Sequence, residues 1–586
     1  MTRDAQSSKL VGQKSPWQKR VEGWRNQLSG SGGLPQLTLL GIFTGIFAGA
    51  VIVLFRLAVE IPLSALLPGS SENFEALAGH WHFLLPLLGA IALAIPLHFV
   101  DKKHQGAGVA YVLDRLHNHQ AHIPPGNFLY QFFAGGWCLL SGQSVGREGP
   151  AVHLGASSGS LLGQWLHLPN NSLRSLAGCG VAAAIAACFN TPLAGVIFAM
   201  EVVVMEYSIS GFIPVILAAV AGTTITQLVF GSDTVFHPPQ ASLKSLTELP
   251  FIIFAGFVVA LFAALFIRLQ SYCCKASCNR PVLLRFTVAG LITACGALAA
   301  PQIMGVGYDT IDSALNGNIG LWLLLSILLV KLLVSGVSLG LGIPGGVIGP
   351  LLLTGACIGG ATGIIANQIM PGNASNPGFY ALLGMGAMMG AVLNAPLAAI
   401  MTLLELTYNP NIIFPSMLVI IVACLITREV FACEGLFQTL LKVQGKKNSF
   451  SATEHLLSRT GARSLLDRHI QTSGNIISLA QAHQLLAQHP HWIVLDEKKC
   501  LLRPGDLASH ISRFSDDSSA TPDTLLDLLT IPAQRLDMIE LDDRINLYQA
   551  LLSMNLAQVD AAFIGDPHKP GLGILTREHI DNYYKV

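Results

Sequence analysis

The stretch Gly-Arg-Glu-Gly-Pro at positions 146–150 places a glutamate within apolar, glycine-rich sequence, and its pattern returns about 200 residues later. The first copy consists of this stretch, then Phe-Asn-Thr-Pro-Leu-Ala at 189–194, and then Glu201. The second consists of Gly-Gly-Val-Ile-Gly-Pro at 345–350, then Leu-Asn-Ala-Pro-Leu-Ala at 393–398, and then Glu405. In each copy the asparagine stands eleven residues before the glutamate. An internally duplicated membrane protein with Gly and Pro interruptions usually has its substrate site on broken helices, at the interface of the repeats.

Composition predicts a membrane protein with soluble ends. The 586 residues are 52% hydrophobic and 12% charged, whereas a soluble domain has about 25% charged residues. Residues 1–35 are polar and basic and predict a cytosolic segment, residues 36–440 predict a transmembrane domain, and residues 445–586 are typical of soluble sequence. The duplication divides the transmembrane domain into repeats of about 36–230 and 248–440.

Fourteen apolar segments between residues 37 and 430 predict helices, and several are shorter than the ~20 residues that cross a bilayer. Short helices that end at Gly or Pro are typical of re-entrant or broken helices. The predicted fold class is therefore an all-α polytopic membrane protein with inverted repeats and broken or re-entrant helices. Basic clusters at Lys102-Lys103 and around Lys446 favour cytoplasmic flanks. We expect a multi-pass protein of a bacterial inner membrane, surrounded by lipid, with both termini in the cytoplasm. A net charge of zero gives no indication of nucleic-acid binding.

The two glycine-rich loops predict an anion site. A helix N-terminus leaves N–H groups unpaired and carries a partial positive charge, so several N-termini aimed at one point bind an anion. A carboxylate in the first loop could occupy that point and leave it on protonation, which makes Glu148 a candidate gate. The alternative for Glu148 is a salt bridge to Arg147 or a helix cap.

Other ionisable residues in apolar sequence favour structural roles. Glu201 and Glu405 stand at matched positions and are expected to tie each repeat together through backbone amides. Lys331, and Arg56 with Glu60 one turn further on, are expected to snorkel or to form pairs.

Four motifs in combination resemble the CLC family of chloride channels and chloride/proton antiporters. They are Gly-Arg-Glu-Gly-Pro at 146–150, the Asn-x-Pro-Leu-Ala-Gly run that reaches Glu201, Gly-Ile-Pro-Gly-Gly-Val-Ile-Gly-Pro at 342–350, and the Asn-Ala-Pro-Leu-Ala run that reaches Glu405. The resemblance covers about 35–440 and implies a homodimer with one pathway per subunit for chloride or a similar small anion. It implies that Glu148 is the external gating glutamate, and it implies no covalent catalysis.

The chain departs from the family at the central anion site. Gly-Ala-Gly-Val-Ala at 106–110 matches the family's Gly-Ser-Gly-Ile-Pro, so Ala107 replaces the serine that ligates the ion, Ile348 replaces a phenylalanine, and Phe437 aligns with the pore tyrosine. We expect a weaker or differently selective central chloride site, because each lost neutral hydrogen bond contributes about 0.5–1.5 kcal/mol. The predicted anion-binding residues are Gly146, Arg147, Gly149, Val347, Ile348, Ala107 and Phe437.

The identity of the residue that follows Glu201 bears on whether transport is coupled to protons. Family antiporters usually have an acidic residue there as the internal proton acceptor, whereas this chain has Val202, as channel members do. We therefore expect passive, Glu148-gated anion conduction. The alternative is proton-coupled antiport, with Glu201 as a substitute on the proton path. A transporter of a small organic solute and a membrane-anchored nucleotide sensor are further alternatives.

The soluble tail resembles a pair of CBS domains at about 464–512 and 526–586. Each half shows an amphipathic helix followed by two short strands and another helix. The Gly-x-x-Thr-x-x-Asp signature is incomplete, since Arg503 replaces Thr in the first copy and His579 replaces Asp in the second. We expect a structural, dimer-supporting tail without a cofactor, and adenine-nucleotide binding is the alternative. No metal site is predicted, because the eleven cysteines contain no C-x-x-C pair.

Overall fold

The computed structural model divides the chain into two compact units, called here the membrane unit and the tail unit. The membrane unit comprises Leu37–Trp165 and Leu173–Ser449, and the tail unit gathers the described parts of Met1–Gln36, Leu166–Ser172 and Phe450–Val586. The structure describes residues 23–24, 27–29, 33–101, 104–206, 209–232, 236, 242–446, 452–495, 500–515, 522–565 and 573–585. Most of the predicted cytosolic segment 1–35 and the basic pair Lys102-Lys103 lie outside the described residues.

The regular elements among the described residues of the membrane unit are helices, joined by loops. Its helices are α1 (Leu34–Leu66), α2 (Gly79–His98), α3 (Gly108–Asn118), α4 (Pro125–Leu140), α5 (Glu148–Trp165), α6 (Asn170–Phe189), α7 (Pro192–Phe198), α8 (Ile209–Phe230), α9 (Leu249–Ser277), α10 (Val282–Ala299), α11 (Tyr308–Leu315), α12 (Leu321–Gly340), α13 (Ile348–Ile369), α14 (Pro377–Leu393), α15 (Pro396–Thr407), α16 (Ile413–Leu425) and α17 (Leu436–Val443). Nine spans among the described residues are long and apolar enough to cross a membrane, and three further apolar helices are shorter. Each of the fourteen predicted segments falls on a helix, and the predicted broken-helix architecture is confirmed.

The duplicated motifs occupy equivalent places in the two repeats. α5 and α13 begin at the two glycine-rich loops, and α7 and α15 begin at the two Pro-Leu-Ala sequences. Asn190 and Asn394, which precede α7 and α15, both adopt the left-handed conformation, with φ of 59° and 54°. Asparagine tolerates this backbone better than most residues. The sequence repeat is therefore also a repeat of backbone conformation.

Close glycine contacts join the helix pairs α5–α6 and α13–α14. A Cβ atom at Gly155 or Gly180 would collide with the other residue's carbonyl oxygen, and the same holds for Gly355 and Gly384. Small residues at such crossings let membrane helices approach with backbone in contact. The crossing is thus built in the same way in both repeats.

We expect Gly180→Ala to destabilise the membrane unit by about 1–3 kcal/mol, the usual effect of overpacking. The added methyl group would meet backbone at Gly155, which cannot rotate away as a side chain could. Thermal unfolding in detergent measures the effect, and Gly320→Ala is the control because no atom lies within 4 Å of a Cβ there. Equal midpoints for the two variants would contradict the tight crossing.

The tail unit is an α+β structure with two similar halves. Its elements are α18 (Ala452–Ser458), β1 (Ile470–Thr472), β2 (Ile476–Ser478), α19 (Leu479–Leu486), β3 (Trp492–Leu495), β4 (Cys500–Leu502), α20 (Pro504–Ser515), β5 (Leu525–Asp527), β6 (Leu536–Leu541), α21 (Leu547–Ala557), β7 (Ala561–Ile564), β8 (Gly573–Thr576) and α22 (Arg577–Lys585). Six strands form a sheet in the order β1-β3-β4-β6-β7-β8, and β2 pairs with β5. In each half a parallel pair, β1–β3 or β6–β7, is followed by an antiparallel one, β3–β4 or β7–β8. The predicted α+β tail is confirmed.

Candidate functional site

The two glycine-rich loops pair with each other directly. The amide of Gly146 donates to the carbonyl of Gly346 at 2.7 Å, and the amide of Gly346 donates to the carbonyl of Gly146 at 2.7 Å. A Cβ atom at Gly149 would lie only 2.6 Å from the Cα atom of Gly346, so glycine is required for this approach. The pairing brings the N-termini of α5 and α13 together. It also corrects the prediction that the Gly146 amide binds the anion, because that N–H is already bonded.

Glu148, the first residue of α5, is fully buried and reaches across to α13. Its carboxylate accepts a hydrogen bond from the Tyr308 hydroxyl at 2.5 Å and one from the Gly349 amide at 3.2 Å. The first-turn N–H groups of α13 have no acceptor within their helix and are a favourable place for negative charge. The carboxylate thus occupies a position that suits a small anion.

Arg147 does not pair with Glu148, so the salt bridge considered as an alternative is absent. Its guanidinium donates to Glu60 at 2.9 Å and to the Cys188 carbonyl at 3.3 Å, and it lies 4.9 Å from the centre of the Tyr308 ring. The two Nη atoms are committed to these partners. It serves the structure around the site and is not placed as an anion ligand.

Tyr308 is a residue that the sequence analysis missed. It begins the short helix α11, its amide donates to the Glu72 carboxylate at 2.8 Å, and its ring packs edge-on against Phe236 at 5.4 Å between centroids. The only sequence signal is the preceding glycine, Gly307, which adopts φ of 88°. These contacts fix the position of the hydroxyl that binds Glu148.

Lys331 neither snorkels nor pairs with a carboxylate, contrary to expectation. Its side chain is fully buried, and its Nζ donates to the carbonyls of Ile303 and Gly305, each at 2.9 Å, and of Val306 at 3.4 Å. These carbonyls belong to the turn just before α11. Lys331 therefore fixes the segment that presents Tyr308.

A cavity of about 480 Å³ lies beside the paired loops. It brings together four of the predicted anion-site residues, Ala107, Gly149, Val347 and Phe437, whereas Gly146, Arg147 and Ile348 do not line it. Ala107 and Phe437 contribute no hydroxyl. The amides of Val347 and Ile348 stand at the start of α13, where no intrahelical acceptor exists.

The charge around this cavity is positive. Arg285 and Lys446 are its charged lining residues, and no Asp or Glu stands among the described residues that line it. Lys446 also binds Asp114 at 2.9 Å, but the Nε of Arg285 is buried without a hydrogen-bond partner in the described part of the chain. A cavity wall with such cations attracts anions and repels cations.

Glu201 and Glu405 connect the repeats to each other, and not each repeat to itself as expected. The Glu201 carboxylate accepts from the amides of Leu397 and Ala398 at 3.2 and 2.7 Å, in the first turn of α15. The Glu405 carboxylate accepts from Leu193 and Ala194 at 2.9 and 2.7 Å, in the first turn of α7. Backbone amides are the predicted partners, but they belong to the opposite repeat. Val202 is buried beside Glu201 and offers no titratable group.

Glu201→Gln and Glu405→Gln are expected to lower stability by similar amounts, about 1–3 kcal/mol, because each removes the charge from two equivalent hydrogen bonds. Neither variant should abolish chloride flux or proton movement in liposomes. Each variant is the control for the other, since the two contacts match. Loss of proton movement in Glu201→Gln alone would contradict the purely structural role and support the alternative proton path.

Tyr308→Phe removes one of the two donors that hold the Glu148 carboxylate. A hydrogen bond to a charged group contributes about 1.5–3 kcal/mol, so the carboxylate should leave its position more often. We expect chloride efflux from proteoliposomes at neutral pH to rise several-fold. Tyr272→Phe, at a residue that is 72% exposed, is the control. Unchanged efflux in Tyr308→Phe would show that the hydroxyl does not hold the gate.

Fold and site together define a multi-pass membrane protein that transports a small anion. The voltage-gated chloride channel family matches residues 88–428, and the chain belongs to this family, the CLC proteins. It is 30% identical over 413 residues to the H(+)/Cl(-) exchange transporter ClcA of Vibrio vulnificus strain YJ016. This alignment covers 67% of this chain and 86% of the relative.

Two solved structures share the fold. The crystal structure of a slow cyanobacterial Cl⁻/H⁺ antiporter matches with a TM-score of 0.62 and 20% identity, over 71% of this chain and 99% of that one. The crystal structure of a eukaryotic CLC transporter matches with a TM-score of 0.58 and 18% identity, over 93% of this chain and 98% of that one. The predicted CLC-type fold is confirmed.

Proposed function

We propose that this protein exchanges chloride for protons across a membrane. The observation that carries the proposal is the Glu148 carboxylate, which is bound at the N-terminus of α13 beside a cation-lined cavity. The relative named as an H(+)/Cl(-) exchange transporter supports exchange over passive conduction. We therefore prefer antiport to the passive conduction that Val202 alone favoured.

A single carboxylate can couple the two ions. While Glu148 is charged, it competes with chloride for the positive end of α13. Once protonated, it loses that attraction, leaves the position and carries its proton with it. Chloride then binds at the N-terminal amides of α13, those of Val347 and Ile348 together with the Gly349 amide that the carboxylate has left, and the next deprotonation displaces it. Proton and chloride thus use one position in turn.

Protons that arrive from the cavity side do not require a carboxylate at position 202. The cavity reaches Gly149, the residue next to Glu148, and it is large enough for several waters. We propose that cavity water carries the proton over this part of the path. Glu201 then has a structural role and is not a proton carrier, because two backbone amides already bind its carboxylate.

The organisation of the chain follows from the same proposal. We propose a cytosolic segment over 1–35, a transmembrane domain over 36–440 with repeats of about 36–230 and 248–440, and a CBS-like pair at about 464–512 and 526–586. The protein would be a homodimer in a bacterial inner membrane, with both termini in the cytoplasm. The CBS-like pair would support the dimer without binding nucleotide.

Proteoliposomes loaded with chloride test the exchange. In the wild type, chloride efflux should drive proton uptake and raise the external pH. In Glu148→Ala, chloride efflux should continue without proton movement, because the side chain can neither block the position nor carry a proton. Glu429→Ala, at a residue whose side chain is 63% exposed, is the control and should match the wild type.

Two results would contradict the proposal. Chloride efflux from the wild type without proton movement would favour passive conduction. Absence of chloride efflux from the wild type, with flux of another small anion or of an organic solute, would show that chloride is not the substrate.

A further inference from the structure

We propose that Asp467, His469 and His491 of the tail unit form a binding site for one divalent transition-metal ion, of which Zn²⁺ fits best. The site is separate from the transport pathway and does not depend on the proposed exchange. One potential ligand atom from each of the three side chains lies within 4.8 Å of the others. This is the only group of three or more His, Cys, Asp or Glu with such spacing in the part of the chain that the structure describes.

Strand pairing brings the two histidines together. β1 and β3 are parallel, with Ile470 opposite Trp492, so the residues just before them, His469 and His491, are also neighbours. The amide of His491 donates to the carbonyl of His469 at 2.7 Å, and the two ring centroids are 5.0 Å apart. Adjacent strands are about 4.8 Å apart, so the sheet itself sets the separation of the imidazoles.

Asp467 is fixed both by its backbone and by its side chain. Its amide and carbonyl exchange hydrogen bonds of 2.9 Å with Ile574 of β8. Its carboxylate accepts from the His469 amide at 3.0 Å and lies 2.9 Å from the Nδ1 atom of His491. The carboxylate, only 12% exposed, is therefore aimed at the imidazoles before any metal binds.

The chemistry of the three side chains suits a borderline metal ion. Imidazole nitrogen and carboxylate oxygen bind Zn²⁺ at about 2.0–2.2 Å, and three protein ligands leave one position for water. Tetrahedral ligands at that distance are about 3.3 Å apart, a separation that small rotations of the imidazoles would reach. Both histidines are exposed, so the ion has an open route to the site.

The surface contact between His491 and Asp467 is by itself a weak interaction. It does not explain why His469 stands beside the pair. A bound ion would link β1 to β3, and through Asp467 it would also hold the contact with β8 in the second half of the tail.

Metal titration of the full-length, chelator-treated protein in detergent tests the site. We expect calorimetry with Zn²⁺ to give one tight site per chain, and Co²⁺ to develop the visible absorption of a tetrahedral complex. His469→Ala and His491→Ala should each weaken Zn²⁺ binding at least tenfold and remove the Co²⁺ band. Asp467→Asn, which keeps the shape of the side chain, should also weaken binding.

His483→Ala is the matched control, because His483 is an exposed histidine of the same unit in α19, outside the cluster. It should bind Zn²⁺ as the wild type does. Equal Zn²⁺ affinity in the wild type, His469→Ala and His491→Ala would overturn the proposal, as would the absence of a tight site in the wild type. Thermal unfolding of each variant in detergent verifies that it has folded, and unfolded variants would be replaced by His469→Gln or His491→Gln.

Discussion

The mutual hydrogen bonds between Gly146 and Gly346 are the constraint on which the rest of the membrane unit depends. They hold two helix N-termini, from α5 and α13, close enough for a residue of one to bind the amides of the other. Two like dipole ends repel each other, so this arrangement needs either an anion or a carboxylate between them. Glu148 satisfies that requirement from within the chain. Side chains at positions 149 and 346 would prevent the approach, which explains why both positions are glycine.

The duplication stabilises this arrangement by crossing its connections. Glu201 caps a helix of the second repeat, and Glu405 caps a helix of the first. A carboxylate at a helix N-terminus both accepts hydrogen bonds and opposes the dipole. Since the two contacts are related by the repeat, the same local sequence caps a helix N-terminus in each repeat. The backbone amides of α7 and α15 are thereby satisfied where water is scarce, which a membrane protein requires.

Sequence alone predicted the elements that carry long apolar runs or repeat their pattern. Glu148 and the glycine loops were found because an ionisable residue in apolar sequence is conspicuous. Tyr308 was missed and Lys331 was given the wrong role, since their roles arise from contacts with residues that are distant in the chain. The short helices α3, α11 and α17 also escaped prediction, because they are too short and too mixed in polarity to stand out, yet they supply lining or binding residues to the site.

The partners of Glu201 and Glu405 could not be assigned, because a helix N-terminus in either repeat offers the same amides. His469 and His491 became neighbours only through the register of β1 and β3.

In the proposed exchange, the absence of a carboxylate at position 202 need not prevent proton coupling. Coupling requires that one group bind the proton and exclude the anion at the same position, and a carboxylate at a helix N-terminus does both. An inner acidic residue would add one more proton-binding group to the path. It would not change the competition between the carboxylate and the anion. Where a wide, water-accessible cavity ends next to the carboxylate, the inner acid affects the rate of proton arrival more than the stoichiometry of exchange. Cations on the cavity wall would disfavour a fixed proton carrier there while raising the local concentration of chloride. In the proposed exchange, Arg285 would therefore favour chloride over a proton carrier in the cavity.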